Sequence, residues 1–178
     1  MRLKLKKLVM STFTMLILSA STAMASEVNS MLSDKAQQEN TILLPEGTES
    51  SIDEVTAVER SSIVSSATVE IIDETGGDIG VVIETLAHVE CEEIRNIAIL
   101  DRYDEDTETW EELVRYEFIA EDEDFPNGLT ALTNGFTIEN QRTGYYYRIR
   151  GIHGVTANGT SQYYSTRTDG LLITEYGR

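Results

Sequence analysis

"GYYYRIRG", residues Gly144 to Gly151, sets three tyrosines against two arginines between glycines. Such a run is either an exposed ligand platform or one β-strand with two unlike faces. A strand sends alternate side chains to opposite sides. Tyr145, Tyr147 and Ile149 therefore share one face, and Tyr146, Arg148 and Arg150 the other. The first set suits a sandwich core, where a tyrosine near a loop buries its ring and bonds its hydroxyl to nearby backbone, as at the tyrosine corner of immunoglobulin-like domains. The arginines of the second set meet acids across the sheet. The strand reading accounts for every residue. The platform reading rests on aromatic and basic residues sharing an exposed face, which is also how carbohydrate and protein sites are built.

Short runs of Val, Ile, Thr and Tyr recur from Ser62 onward, separated by Gly-Gly, Asn-Gly and acidic turns. That texture predicts strands over Ile63–Ile72, Ile79–Val89, Ile94–Tyr103, Trp110–Ile119, Leu132–Glu139, Tyr145–Val155 and Gln162–Ile173. Alternation puts Ile79, Val81, Ile83, Thr85, Ala87 and Val89 on one face. Ile97 and Ile99 oppose Ala98 and Leu100, so that strand is covered on both sides. Trp110, Val114, Tyr116 and Phe118 form a further stripe, and Leu132, Phe136 and Ile138 another. Asn158-Gly159 marks a tight hairpin. About seven closely spaced strands with no helical period predict an all-β fold, an immunoglobulin/fibronectin III-like β-sandwich.

The amino terminus reads as an export leader. Arg2, Lys4, Lys6 and Lys7 precede the apolar run Leu8–Ala20, and Ala23-Met24-Ala25 supplies small residues, so a signal peptide over 1–25 cleaved after Ala25 is predicted. The alternative is a retained membrane anchor, for which the run is short. Residues 26–59 are rich in Ser, Glu, Gln, Asn and Thr and read as a flexible acidic and polar arm, with the β-sandwich domain over 60–176. The leader's four charges are all positive, so cleavage leaves ten Lys and Arg against 31 Asp and Glu, a net charge of about −21. Such a surface repels nucleic acid and anionic lipid, both of which need a cationic face. Cys91 is the only cysteine, so no internal disulfide forms, and the core has to hold the exported fold. Between Val89 and Ile94 it reads as a small buried residue, with Glu90, Glu92 and Glu93 set to raise its thiol pKa.

Ile97-Ala-Ile-Leu-Asp-Arg-Tyr103, Trp110 after an acidic turn, Gly144-Tyr-Tyr-Tyr-Arg-Ile-Arg-Gly-Ile-His153 and Thr168-Asp-Gly-Leu-Leu-Ile-Thr174 together resemble the DUF6147 family of uncharacterised small secreted proteins from Gram-positive, clostridia-like bacteria. The resemblance covers roughly residues 60–176. It implies export and a compact sandwich, and brings no activity or functional residues with it. The last two strands also resemble the final hairpin of a fibronectin type III domain.

The residue inventory holds no recognisable catalytic motif. His88 and His153 sit in no metal-ligand spacing, and no nucleophile elbow or P-loop is present. Among so many acids no glycosidase-type pair stands out. The expectation is a protein without catalytic residues, cofactor or metal ligands. Asp104–Glu108 and Glu121–Asp124 are either weak extracellular calcium sites or solvated turns; neither has the spacing of an EF-hand. Trp110 is either a core anchor continuing the Val114 stripe or a stacking surface for sugar. Two functions stay in view. The first is a secreted non-enzymatic module binding an extracellular protein or envelope component. The second is a carbohydrate-binding module using Trp110 or Tyr146, with a secreted hydrolase behind both.

Overall fold

The structure, a computed structural model, describes residues 41–56 and 62–175, all within one unit, Asp34–Arg178. The leader and residues 26–40 of the arm lie outside the described residues. Among the described residues nine strands follow in chain order: β1 (Ser50–Thr56), β2 (Val64–Asp73), β3 (Ile79–Cys91), β4 (Glu93–Asp104), β5 (Thr109–Glu121), β6 (Leu129–Ile138), β7 (Tyr146–Ala157), β8 (Thr160–Arg167) and β9 (Leu171–Leu172). A 3-10 turn, Asp122–Asp124, joins β5 to β6.

The strands form two antiparallel sheets in the orders β1-β2-β3-β6 and β5-β4-β7-β8, with β9 also paired to β7. The chain changes sheet after β3, after β5 and after β6, a Greek-key path. Strands β2-β3-β6 and β4-β7-β8 occupy the places of A-B-E and C-F-G in the immunoglobulin plan. The all-β sandwich expected from the alternating runs is therefore present. Tyr147 makes the tyrosine corner that motivated it: its ring is buried near the start of β7, and its hydroxyl donates to the Arg142 carbonyl at 2.9 Å.

Inward residues of both sheets interlock in two apolar clusters. The larger draws Val69 and Ile71 from β2, Val81 and Ile83 from β3, Leu100 from β4, and Tyr147 and Ile149 from β7. The smaller gathers Val64, Cys91, Ile94, Leu129 and Val155 toward the other end. Each such aliphatic side chain contributes about 1.5–3 kcal/mol by leaving water. One open side of the sandwich is closed by Phe136 of β6 against Tyr116 and Phe118 of β5, with ring centroids 4.8 and 5.2 Å apart. The other is closed by Asp53 of β1, whose carboxylate accepts the Arg167 amide at 2.7 Å. The β7–β8 hairpin turns on Asn158 and Gly159, with φ of 51° and 70°, the paired left-handed values of a type I′ turn.

Some sequence boundaries need correction. Residues 50–56 of the supposed flexible arm form an edge strand of the first sheet, and Thr41–Leu44 lie beside Asp169-Gly170, where Leu44 N–H donates to the Gly170 carbonyl and Gly170 N–H to the Ile42 carbonyl, both at 2.8 Å. The run Gln162–Ile173 breaks into β8 and β9, because Thr168 turns its hydroxyl to the Ile149 amide. In β3 the inward face ends earlier than expected. Val89 is exposed, since the β3–β6 register slips between Leu86 and Cys91.

Candidate functional site: a buried arginine–aspartate cluster

Asp101 of β4 stands directly opposite Arg148 of β7, and Arg150 follows on the same face. All three point away from the sandwich core, as alternation predicts, yet none is solvated: their exposures are 1%, 0% and 9%. One carboxylate organises them. Asp101 Oδ2 accepts from Arg148 Nε at 2.9 Å and from Arg150 Nε at 2.7 Å, while its Oδ1 accepts from Arg150 Nη2 at 2.8 Å. Arg150 Nη2 also reaches Glu112 at 3.1 Å. Arg148 donates in addition to the Thr41 hydroxyl, and its guanidinium lies 4.4 Å over the Trp110 ring.

Trp110 reaches this face through a bulge. Leu100 pairs with Val114 but Asp101 pairs with Glu112, so Leu113 is an extra residue in β5. One inserted residue reverses the facing of everything beyond it. Trp110 and Glu112 are thereby turned away from the stripe of Val114, Tyr116 and Phe118, which corrects the expectation that Trp110 continues that stripe into the core. It is half-buried, its ring 5.2 Å from that of Tyr103, and a Cβ on Gly170 would come within 2.9 Å of it.

The two arginines respond differently to one shared carboxylate. Burial pulls Arg148 down to about 10, against the attraction of Asp101, and the charges of Arg150 and Arg167 add to the fall. Burial also opposes the charge of Arg150, but Asp101 and Glu112 together hold it above the ordinary arginine value. Both guanidiniums stay protonated at neutral pH. With both Asp101 oxygens engaged by donors, the cluster acts as a clamp joining β4, β5 and β7 to the Thr41 segment. It offers no poised base.

A second polar group crosses the inner face between the two apolar clusters. His153 bonds through Nδ1 to Thr85 Oγ1 at 2.8 Å and through Nε2 to Thr166 Oγ1 at 2.8 Å. Thr85 donates to Asn96 Oδ1, and Asn96 Nδ2 donates to the Leu132 carbonyl at 3.0 Å and to Asn134 at 2.9 Å. The backbone carbonyl fixes which end of the Asn96 amide is the donor, so Thr85 gives its proton to Asn96 and must accept from His153. His153 is therefore the neutral Nδ1–H tautomer, with Nε2 accepting from Thr166. Burial lowers its pKa to about 4, partly offset by a backbone bond to Glu84. Among the described residues no buried side-chain nitrogen or oxygen lacks a partner.

Gly151 makes room for this chain of bonds. A Cβ there would overlap Thr166 Oγ1 and come within 2.9 Å of His153 Nε2. Gly151→Ala is expected to destabilise the fold by about 1–3 kcal/mol, read as a lower urea midpoint with unchanged m-value.

The other sequence candidates lie apart from both clusters. His88 is exposed. Cys91 is free and buried, 3% exposed, and its thiol pKa is raised first by burial and then by Glu92. We expect at least about tenfold slower reaction with a thiol reagent than for an exposed cysteine, with full reactivity only on unfolding. Cys91 backs a cleft of about 450 Å³ between the loops at that end, lined by Glu90, Glu92, Asp122 and Phe125. At the opposite end the Asp104 carboxylate accepts the Asp106 amide at 2.9 Å, and such backbone bonds lower its pKa. No group of three His, Cys, Asp or Glu among the described residues is placed to hold a metal ion, and no described helix is long and apolar enough to cross a membrane.

No protein-family model matches the chain, and no curated protein matches it. Among solved structures, it aligns with the sporulation control protein Spo0M from Bacillus subtilis at 9% identity and a TM-score of 0.32, over 72% of this chain and 51% of that one. The chain thus spans about half the length of that structure, and likeness at this level carries no argument about function.

Proposed function

We propose that the chain is an exported, non-enzymatic β-sandwich, export being what its resemblance to the DUF6147 family implies, and that its work is to bind an extracellular protein or cell-envelope component. One observation carries this reading: Asp101, His153 and Cys91 are used to hold the sandwich together, and the exposed His88 belongs to no metal-holding group among the described residues. Asp101 is gripped by two guanidiniums, His153 is fixed between two threonines, and Cys91 is buried. The charge that faces solvent is predominantly acidic, as suits a freely diffusing protein or one bound to a cationic partner.

The carbohydrate reading needs Trp110 or Tyr146 free to stack on a sugar. Trp110 gives one ring face to Arg148, which weighs against it. The test is capture of partners from envelope extracts by the leaderless chain, alongside a glycan array. A specific, reproducible envelope partner with no glycan signal supports the proposal. Glycan binding that shifts Trp110 fluorescence replaces it with the carbohydrate reading.

A further inference from the structure

The outward face of the first sheet is a regular grid. Register across β1, β2, β3 and β6 sets Ser50, Ile72, Gly80 and Thr137 in one row, and Ile52, Glu70, Val82 and Gly135 in the next. Glu54, Thr68, Glu84 and Thr133 make the third row, and Thr56, Ser66, Leu86 and Ala131 the fourth. Ile52, Ile72 and Val82 sit on β1, β2 and β3 within the first two rows; Ile52 is 62% exposed, and Ile72 and Val82 are half-buried. The grid's strand positions carry Glu54, Glu70 and Glu84, and the Glu74 carboxylate reaches over Gly80 to accept from the Thr137 hydroxyl at 3.0 Å.

No Lys or Arg occurs anywhere in β1, β2, β3 or β6. Every Lys or Arg among the described residues belongs to the second sheet or to the loop before β7. There the arginines meet carboxylates, as Arg95 meets Glu93 and Glu117, and Arg102 meets Glu111. The second sheet therefore shows both signs of charge and the first only one.

We infer that this face of the first sheet is the docking surface, and that it takes one basic, amphipathic segment of a partner protein, its aliphatic side on Ile52, Ile72 and Val82 and its Lys or Arg on Glu54, Glu70 and Glu84. This deepens the interaction-module reading and rests on it. Charge complementarity selects the occupant. A second copy docked through the same face would set acid against acid, and nucleic acid or an anionic membrane would be repelled. The grid spans about 20 Å along the strands and about 14 Å across, which fits a single helix of about 10–12 Å diameter. Small residues at Gly135 and Ala131 keep the β6 side of the surface flat enough for one to lie on, while the Glu74 side chain fills the space over Gly80.

The probe is a synthetic amphipathic helix of about 18 residues, leucine on one side and lysine on the other, titrated into the whole leaderless chain by fluorescence anisotropy at about 50 and 150 mM salt. Glu54→Gln/Glu70→Gln/Glu84→Gln is expected to weaken binding at least tenfold. Glu105→Gln/Glu108→Gln/Glu123→Gln removes the same charge from the loops and is expected to weaken it less than threefold. Amide shifts of the wild-type complex should map to β1, β2, β3 and β6. Equal losses in the two variants, no wild-type binding, or shifts on the second sheet would each overturn the assignment. Envelope capture is repeated with both variants. Capture that survives the sheet variant leaves an interaction module standing but sinks this surface. Peptide binding as predicted, with no capture by the wild type, upholds the surface and sinks the module reading.

Discussion

Replacing Asp101 with asparagine is expected to lower stability by about 3–5 kcal/mol, which for a domain of this size is on the order of 10–15 °C in Tm. The magnitude follows from where the charge sits. A solvated ion pair contributes under about 1 kcal/mol, but Asp101 is 1% exposed and faces Arg148, which is fully buried. Removing the carboxylate leaves Arg148 charged beside Arg150 with its main counter-ion gone. Glu112, which is exposed, reaches only Arg150. The triple replacement Asp101→Leu/Arg148→Met/Arg150→Met should cost far less than Asp101→Asn alone, because filling the site with apolar volume removes the desolvation penalty together with the attraction. Chemical denaturation of the three proteins checks this. A loss below about 1 kcal/mol for Asp101→Asn would show that water reaches the cluster and that it does not clamp the sheet.

The sequence made the inner half of this architecture readable and left the outer half obscure. Alternation alone placed Tyr147 and Ile149 inward, set Arg148 and Arg150 against acids, and showed Ile97–Leu100 covered on both faces. It could not show that the acid–arginine meeting is dry. That depends on Trp110, which arrives through an extra residue at Leu113, and nothing in Glu-Glu-Leu-Val-Arg marks a bulge. It depends also on Thr41, more than a hundred residues away in sequence. β1 escaped notice because an edge strand needs little apolar surface: Val55 is its one inward aliphatic, while Ser51 and Asp53 face inward to cap the Asp169 and Arg167 amides. The His153 network did leave a signal. Asn96 shares the parity of Ala98 and Leu100, so alternation points a carboxamide into the core, and a buried amide requires partners.

Acid should test that network more sharply than any other perturbation. Unfolded, His153 titrates with an ordinary pKa of about 6.5; folded, it does so at about 4. Between those values the unfolded chain binds a proton that the native protein does not, so stability falls as pH falls. The contribution is complete above about pH 6.5 and is lost through pH 4, at up to about 1.4 kcal/mol per pH unit and about 3 kcal/mol in total. Thr85 and Thr166 bond to the ring, Asn96 and Asn134 stand behind Thr85, and Glu84 bonds to the ring through its backbone, so none of these bonds brings a charge to compensate the imidazolium. Most carboxylates titrate below about pH 5, so the slope between pH 6.5 and 5 isolates the histidine. His153→Gln should lower stability at pH 7 and flatten that slope, while His88→Gln, changing an exposed residue, should leave it intact. Urea midpoints measured across the window decide the matter. A wild-type slope that persists in His153→Gln would mean that another group, and not the clamped imidazole, makes this core sensitive to acid.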